Sequence, residues 1–300
     1  MKFNIYQDSR KGGRKNNEDR VGHFFSPESL IMVVADGMGG HMLGEVAAQM
    51  TVQIICAAFK KQATPRLRDP FMFLLKSIHS AHHAIFDYAL TRNLPETPRT
   101  TVVACVVQDC AAHWAHAGDS RLYLIRDGRV AAQTRDHTRI QMLVDQGRVR
   151  EEGIAAHPDR NRIFSCLGAL TRPTVEFSQK TPLKNGDTLM LCTDGVWGPL
   201  SSRHIVTSLL RPDLMKAAPQ LLDLAIARAG TNADNTSAVA LRWLEDYSQP
   251  DERELTSAAA SSTVTVQLDQ YGMQPEQVLS DTEIEQAVAE IRERIRKTTR

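Results

Sequence analysis

IMVVADGMGG, residues 31–40, runs from an unbroken apolar stretch straight into an aspartate set among glycines. Leu30 to Ala35 has the length and composition of a strand buried on both faces, and Asp36 stands at its end. An Asp beside Gly, Asn or Ser and close to an apolar β-run recurs in HAGDSR around Asp119, LMLCTDGVWG around Asp194 and TNADNTSAVAL around Asp234, and two of the four follow runs of four or more apolar residues. An acidic pair, Glu18-Asp19, sits in RKNNEDR. One aspartate at a strand end is ordinarily a turn former. Four in one setting, each with small neighbours that let a carbonyl or a water come close, say more. Such carboxylates suit hard divalent cations, which take oxygen ligands; Mg²⁺ or Mn²⁺ would keep several waters there. No HExxH or paired CxxC spacing points to zinc.

Outward from this stretch, strands are expected at Phe3–Gln7, Val21–Phe25 and Leu30–Ala35. A long helix follows over Gly44–Lys61, with Val46, Met50, Ile54 and Ala57 at helical spacing. A second covers Pro70–Thr91. Short β-runs come next: Thr100–Val107, Ala112–Ala117, Arg121–Arg126 and Arg129–Gln133, the last two joined by the hairpin pair Asp127-Gly128. A short helix is expected at Thr138–Gln146 and strands at Thr174–Gln179, Thr188–Cys192 and Ala238–Trp243. Helices Ser202–Leu210 and Pro219–Ala229 lie between the last two strands, the second with proline in its first turn and Gly230 after its end. Strands in hairpin succession with helices in blocks imply an α+β fold of antiparallel sheets covered by helices.

The chain has 300 residues and a net charge of +1, so it is not a polyelectrolyte with bulk attraction to nucleic acid or membrane. Its longest apolar runs fall far short of the ~18 residues of a membrane span. No apolar leader follows Met1, and the five cysteines read as buried, reduced thiols, so a cytoplasmic protein is expected. Charge and composition change near residue 245: residues 1–245 carry net +6 and residues 246–300 net −5. The expected domains are a catalytic unit at 1–245, a disordered acidic, Ser/Thr-rich linker at 246–280 and an amphipathic helix at 281–298, opened by the capping pattern Ser280-Asp281-Thr282-Glu283.

The order of the motifs carries a resemblance. Arg14, Asn17-Glu18-Asp19, Asp36-Gly37-Met38-Gly39-Gly40-His41 and Gly44-Glu45 come first. Gly118-Asp119-Ser120-Arg121, Asp136-His137-Thr138, His157-Pro158 and Leu167-Gly168 follow, and Asp194-Gly195 and Asp234-Asn235 close the series. This chain resembles the bacterial branch of the metal-dependent protein phosphatases (type 2C, PPM) from about residue 3 to 244. The resemblance implies a four-layer αββα sandwich of two antiparallel sheets. It implies hydrolysis of phosphoserine and phosphothreonine in proteins by a metal-activated water, without a phosphoenzyme. Two Mn²⁺ or Mg²⁺ ions would be held by Asp36 as the bridge, the Gly37 carbonyl, Asp194 and Asp234. Glu18 and Asp19 would hold metal-bound waters, and Asp119 with Asp194 a third, weaker ion. Arg14 would grip the substrate phosphate, and His41 is the candidate general acid. The implied partners are phosphorylated proteins and an opposing Ser/Thr kinase, with the enzyme a monomer.

Some positions depart from the family. Met38 takes the place where eukaryotic relatives carry histidine directly after Asp-Gly, and the alternative for His41 is a structural role at a helix start. The family's Gly-Thr-Thr reads Arg99-Thr100-Thr101, and Gly198 replaces an acidic residue after Asp194. Asp136 and His137 read as caps of the Thr138 helix rather than ligands, and His113 and His116 as core or surface histidines. Residues 145–168 resemble a flap whose His157 and Arg162 are candidate substrate contacts. Cys166 to Arg172 has the CxxxxxR spacing of a cysteine phosphatase, but Ser165 and Pro173 flank it wrongly, so it reads as chance. Two alternatives stand beside the phosphatase: a pseudophosphatase scaffold, which would have lost metal aspartates, and another two-metal phosphoesterase such as a nuclease, which would want basic runs interleaved with aromatics.

Overall fold

The computed structural model describes residues 1–38, 43–149, 159 and 162–245. One antiparallel sheet has the order β1 (Phe3–Arg10), β11 (Thr236–Trp243), β10 (Thr188–Cys192), β6 (Arg121–Arg126), β7 (Arg129–Gln133). The other runs β2 (Arg20–Phe25), β3 (Ser29–Ala35), β4 (Val102–Gln108), β5 (Ala111–Ala117), β8 (Glu176–Phe177), with β9 (Thr181–Pro182) also paired to β5. Six α-helices accompany them among the described residues: α1 (Gly44–Gln62), α2 (Pro70–Thr91), α3 (Arg139–Asp145), α4 (Asp194–Trp197), α5 (Ser202–Leu209) and α6 (Leu214–Ala229).

The period-two alternation of the strands produces three apolar layers, and hence four layers of structure. Ile31, Val33 and Ala35 of β3 and Val102, Ala104 and Val106 of β4 turn toward α1 and α2. Their alternate neighbours, Leu30, Met32, Val34, Val103, Cys105 and Val107, turn inward to meet Leu189, Leu191, Val239 and Leu241 of the opposite sheet. Tyr123, Met190, Cys192 and Ala240 face outward onto α5 and α6. Strands covered on both faces must be apolar throughout, which is why β3 and β4 read as unbroken runs. Each fully buried Leu, Ile or Val contributes about 1.5–3 kcal/mol.

The described elements match the αββα expectation, with three corrections. The face α1 buries is Ala47, Ala48, Thr51, Val52, Ile55 and Phe59. Of the Val46–Met50–Ile54–Ala57 series none is fully buried, and Ala57 is exposed. Ala47 and Ala48 let the start of the helix lie close to the sheet and Ile55 and Phe59 fill the wider gap toward its end, while Met50 and Ile54 pack at its margin. Helix α6 begins at Leu214, and Pro219 is interior rather than in the first turn. Asp213 supplies the cap by accepting from the Met215 N–H at 3.0 Å, and burial of Leu214, Ala217 and Ala218 holds the early turn despite the proline. The strand expected at Thr174–Gln179 shrinks to the two residues of β8. The hairpin at Asp127-Gly128 forms between β6 and β7. The linker and tail helix expected beyond residue 245 lie outside the described residues. No helix among the described residues is long and apolar enough to cross a membrane.

Candidate active site

Strand register brings the acidic groups to one end of the sandwich. Arg20 opposes Ala35, which sets Glu18 and Asp19 beside Asp36. Cys192 opposes Arg121 on one side and Ala238 on the other, which brings Asp194 between Asp119 and Asp234. Arg10 opposes Thr236, so the loop carrying Arg14 lies against the loop carrying Asp234. Residues far apart in sequence thus share a cleft of about 710 Å³, lined by Arg14, Glu18, Asp36, Gly37, Asp119, Asp194 and Asp234 together with Lys15, Asn16, Met38, Thr101, Ile163 and Asn235. Asp19 lies against this group, 1% exposed, its Oδ2 accepting from the Thr193 hydroxyl at 2.8 Å. His41 and His157 lie outside the described residues.

The electrostatics are those of anions gathered in a dry place. Burial, and then repulsion from Asp19, Asp194, Asp119 and Asp234, holds the Asp36 carboxyl well above the usual range. Burial and the neighbouring Asp194 do the same to Asp119. Asp19 is pushed up to about 7, chiefly by burial, and Asp194 to about 6, by burial and then by Asp234. Arg14 Nη2 donates to Asp234 Oδ2 at 2.5 Å, and this tie raises the guanidinium above its ordinary range.

A divalent cation fits this donor set. Every candidate side-chain ligand is a carboxylate oxygen, and a cation would offset the repulsion that now favours protons. Glu18 Oε2 and Asp19 Oδ1 are buried and have no hydrogen-bond partner, a costly state for a carboxylate oxygen that a cation or its waters would relieve. Gly37 has to be glycine: a Cβ there would come within 2.4 Å of the Gly44 carbonyl oxygen and 2.7 Å of that of Glu18.

Several supporting residues make contacts that their sequence motifs do not announce. The Asn235 side chain donates to the carbonyls of Lys11 and Asn16 at 2.8 and 2.9 Å and accepts from the Glu18 N–H at 2.8 Å, stapling the 11–18 loop to the Asp234 loop. Thr100 and Thr101 hold Asp36. The Thr100 hydroxyl and the Thr101 N–H both donate to the Asp36 carbonyl, at 2.8 and 2.9 Å, and the Asp36 N–H donates to Thr101 Oγ1 at 3.2 Å. These contacts do not need the missing glycine of the Gly-Thr-Thr motif. The reading of Asp136 and His137 as helix caps is corrected. Thr138 caps α3, accepting from the Gln141 N–H at 3.3 Å. Asp136 instead takes a two-pronged hydrogen bond from Arg121, and His137 contacts Gly118. Burial pushes the Cys166 thiol up, which suits a core residue and not a thiolate nucleophile.

A carboxylate cleft of this kind suits a hydrolase that works with divalent cations, and comparison with known proteins narrows that class. The family model described as protein phosphatase 2C matches residues 7–220. The serine/threonine protein phosphatase PstP of Mycobacterium tuberculosis is 33% identical over 238 residues, 79% of this chain and 44% of that one. Among solved structures, the serine/threonine phosphatase of S. agalactiae superposes with a TM-score of 0.74 at 28% identity, over 81% of this chain and all of that one. The PstP catalytic domain in complex with two manganese ions gives 0.68 at 30% identity, over 81% and 99%. The chain belongs to the protein phosphatase 2C family. It is a metal-dependent protein serine/threonine phosphatase, acting on phosphoproteins.

Proposed function

We propose that this cleft removes phosphate from serine and threonine side chains with two Mn²⁺ or Mg²⁺ ions held by Asp36, Gly37, Asp194 and Asp234, and a third, weaker one by Asp119 and Asp194. The observation that carries the reading is the convergence of carboxylates around buried oxygens of Glu18 and Asp19 that have no hydrogen-bond partner. Bound there, the cations would lower the pKa of a water toward neutrality and offset the charge of the phosphate dianion. Glu18 and Asp19 orient the attacking water and its neighbours through those oxygens. Arg14 presents its guanidinium fork to the phosphate oxygens and sets the phosphorus for in-line attack. The bond to the serine or threonine oxygen breaks as the water oxygen adds, so no side chain of the enzyme is phosphorylated. The leaving alkoxide takes a proton, and His41 is our candidate donor.

The catalytic unit is residues 1–245, acting as a monomer and opposing a Ser/Thr kinase. The five free thiols fit a reducing, cytoplasmic setting. The test is release of phosphate from a phosphothreonine peptide with Mn²⁺ and with chelator. Hydrolysis is expected only with the cation. Asp36→Asn or Asp194→Asn should lower turnover by about a thousandfold or more, since each replaces an anionic ligand with one neutral oxygen. Undiminished turnover in either variant, or in excess chelator, would contradict this assignment of the ligands.

A further inference from the structure

Asp119 sits on a turn whose main chain is gripped from two sides. The indole N–H of Trp197 donates to the Asp119 carbonyl at 3.0 Å. On the other side, His137 holds Gly118 twice: its N–H donates to the Gly118 carbonyl at 2.9 Å, and its Nδ1 accepts from the Gly118 N–H at 3.3 Å. Gly118 has φ +116°, and a Cβ there would come within 2.5 Å of the Thr101 side chain, so the turn is also confined from behind. The two grips are joined. The Arg121 guanidinium lies 3.6 Å from the centroid of the Trp197 ring and makes its two-pronged hydrogen bond to Asp136, the residue before His137, at 2.8 and 2.7 Å. Trp197 ends the same single-turn helix, α4, that Asp194 begins.

We propose that Trp197 and His137 are positioning residues that set the Asp119 carboxylate against Asp194, and so tune the affinity of the cation those two share. This deepens the metal-dependent phosphatase reading and rests on it. The indole is a strut between the helix bearing one carboxylate and the turn bearing the other. The imidazole fixes the peptide plane ahead of Asp119. Asp119 is 5% exposed, so its side chain has little room to correct a shift of its own backbone. Partners that orient a ligand in this way typically change metal affinity by 10–100-fold when removed.

A different role for His137 can be set aside on geometry. Atoms of His116, His137 and Glu176 lie within 4.8 Å of one another, as a metal triad would. But the two imidazole rings are tilted by only 30° with centroids 4.5 Å apart, so their in-plane lone pairs do not meet at one ion. The Gly118 N–H fixes Nδ1 of His137 as the acceptor, which leaves the proton on Nε2, facing Glu176 Oε2 at 3.4 Å. His137 is a holder of backbone, with Glu176 fixing its tautomer.

The experiment is a Mn²⁺ titration of phosphatase activity on a small phosphate ester, with calorimetry of Mn²⁺ binding, for Trp197→Phe, His137→Gln and His137→Asn, each also in an Asp119→Ala background. Phenylalanine keeps the ring beneath Arg121 and removes only the N–H. Asparagine places its Oδ1 where Nδ1 accepts from Gly118, whereas glutamine reaches the Nε2 position. Trp197→Phe and His137→Gln should raise the Mn²⁺ needed for half-maximal turnover by about tenfold, leaving the KM for ester and the two tighter ions unchanged. His137→Asn should restore most of the loss. With Asp119→Ala already present, none should add a further effect, which general loosening of the fold would not reproduce. A normal Mn²⁺ response in Trp197→Phe and His137→Gln, equal losses in the Asn and Gln variants, or effects that add fully to Asp119→Ala would overturn the proposal. Wild-type turnover that ignores chelator would overturn the metal-dependent reading beneath it, and the proposal with it.

Discussion

Arg14 has one guanidinium nitrogen on Asp234 Oδ2, while its side chain remains 58% exposed at the cleft. Two opposite charges meet there, one on the proposed phosphate grip and one on a proposed cation ligand. Lysine would keep the charge and lose the planar fork. Arg14→Lys should therefore raise KM by about tenfold, in line with about 1–3 kcal/mol for a charge-assisted contact. Turnover at saturating substrate should change little, and an unaltered KM in steady-state kinetics would remove Arg14 from substrate binding. At this scale the acidic residues are legible in the sequence because four aspartates near apolar runs, each flanked by Gly, Asn or Ser, say together what a single turn-forming aspartate would not. The contacts of their holders are not legible. Nothing local in sequence marks Thr193 or Trp197, and although Asn235 and His137 stand in recognisable motifs, the main-chain groups they hold are set by folding. Asp136-His137 beside Thr138 looks like a helix start, and only the pairing of Asp136 with Arg121 shows why the side chains point elsewhere.

The Asn235 staple works at the level of elements, since it ties the loop after β1 to the loop before β11. Removing its side chain leaves the Glu18 N–H and the Lys11 and Asn16 carbonyls without their partners. Asn235→Ala should cost about 2 kcal/mol in denaturant unfolding of the metal-free protein. It should also weaken Mn²⁺ binding, because Glu18 and Asp234 lose their common anchor. Wild-type Mn²⁺ affinity by calorimetry would show that the loops hold their relation without it. The strands were the most readable elements, because alternation across two buried faces leaves few arrangements for runs such as β3 and β4. Helix faces were less so. In helix α1 the buried face runs through Ala47, Ala48, Thr51, Val52, Ile55 and Phe59 rather than the Val46–Met50–Ile54 stripe that spacing alone suggested, because the sheet packs against small residues early in the helix and large ones toward its end.

Across the whole molecule, the clustered carboxylates link stability to pH. Without metal, burial holds Asp19 up to about 7 and Asp194 to about 6, with Asp36 and Asp119 also raised. The folded chain then keeps protons that the unfolded chain releases near pH 4. Stability from these groups is fully present below the unfolded pKa and is lost as pH climbs through the folded values. The melting temperature in chelator should fall between pH 5 and 7. In Mn²⁺ the same carboxylates are wanted ionised, so binding strengthens over that window and the gap between the two curves widens. Calorimetric melts at several pH values test this, and parallel curves would count against a shared site for protons and cation.

Among the described residues strand β1 lies at a sheet edge and has a single ladder partner, β11, with Phe3 opposite Trp243 and Arg10 opposite Thr236. Strand β1 is therefore made long before the strand it pairs with. Glu18 and Asp36 are made early, Asp194 and Asp234 late, and a nascent chain that stops short of residue 234 holds no complete cleft. The cleft of an enzyme that erases signals is thus incomplete until translation has passed Asp234 and the strand β11 that follows it, so dephosphorylation begins only after both have emerged.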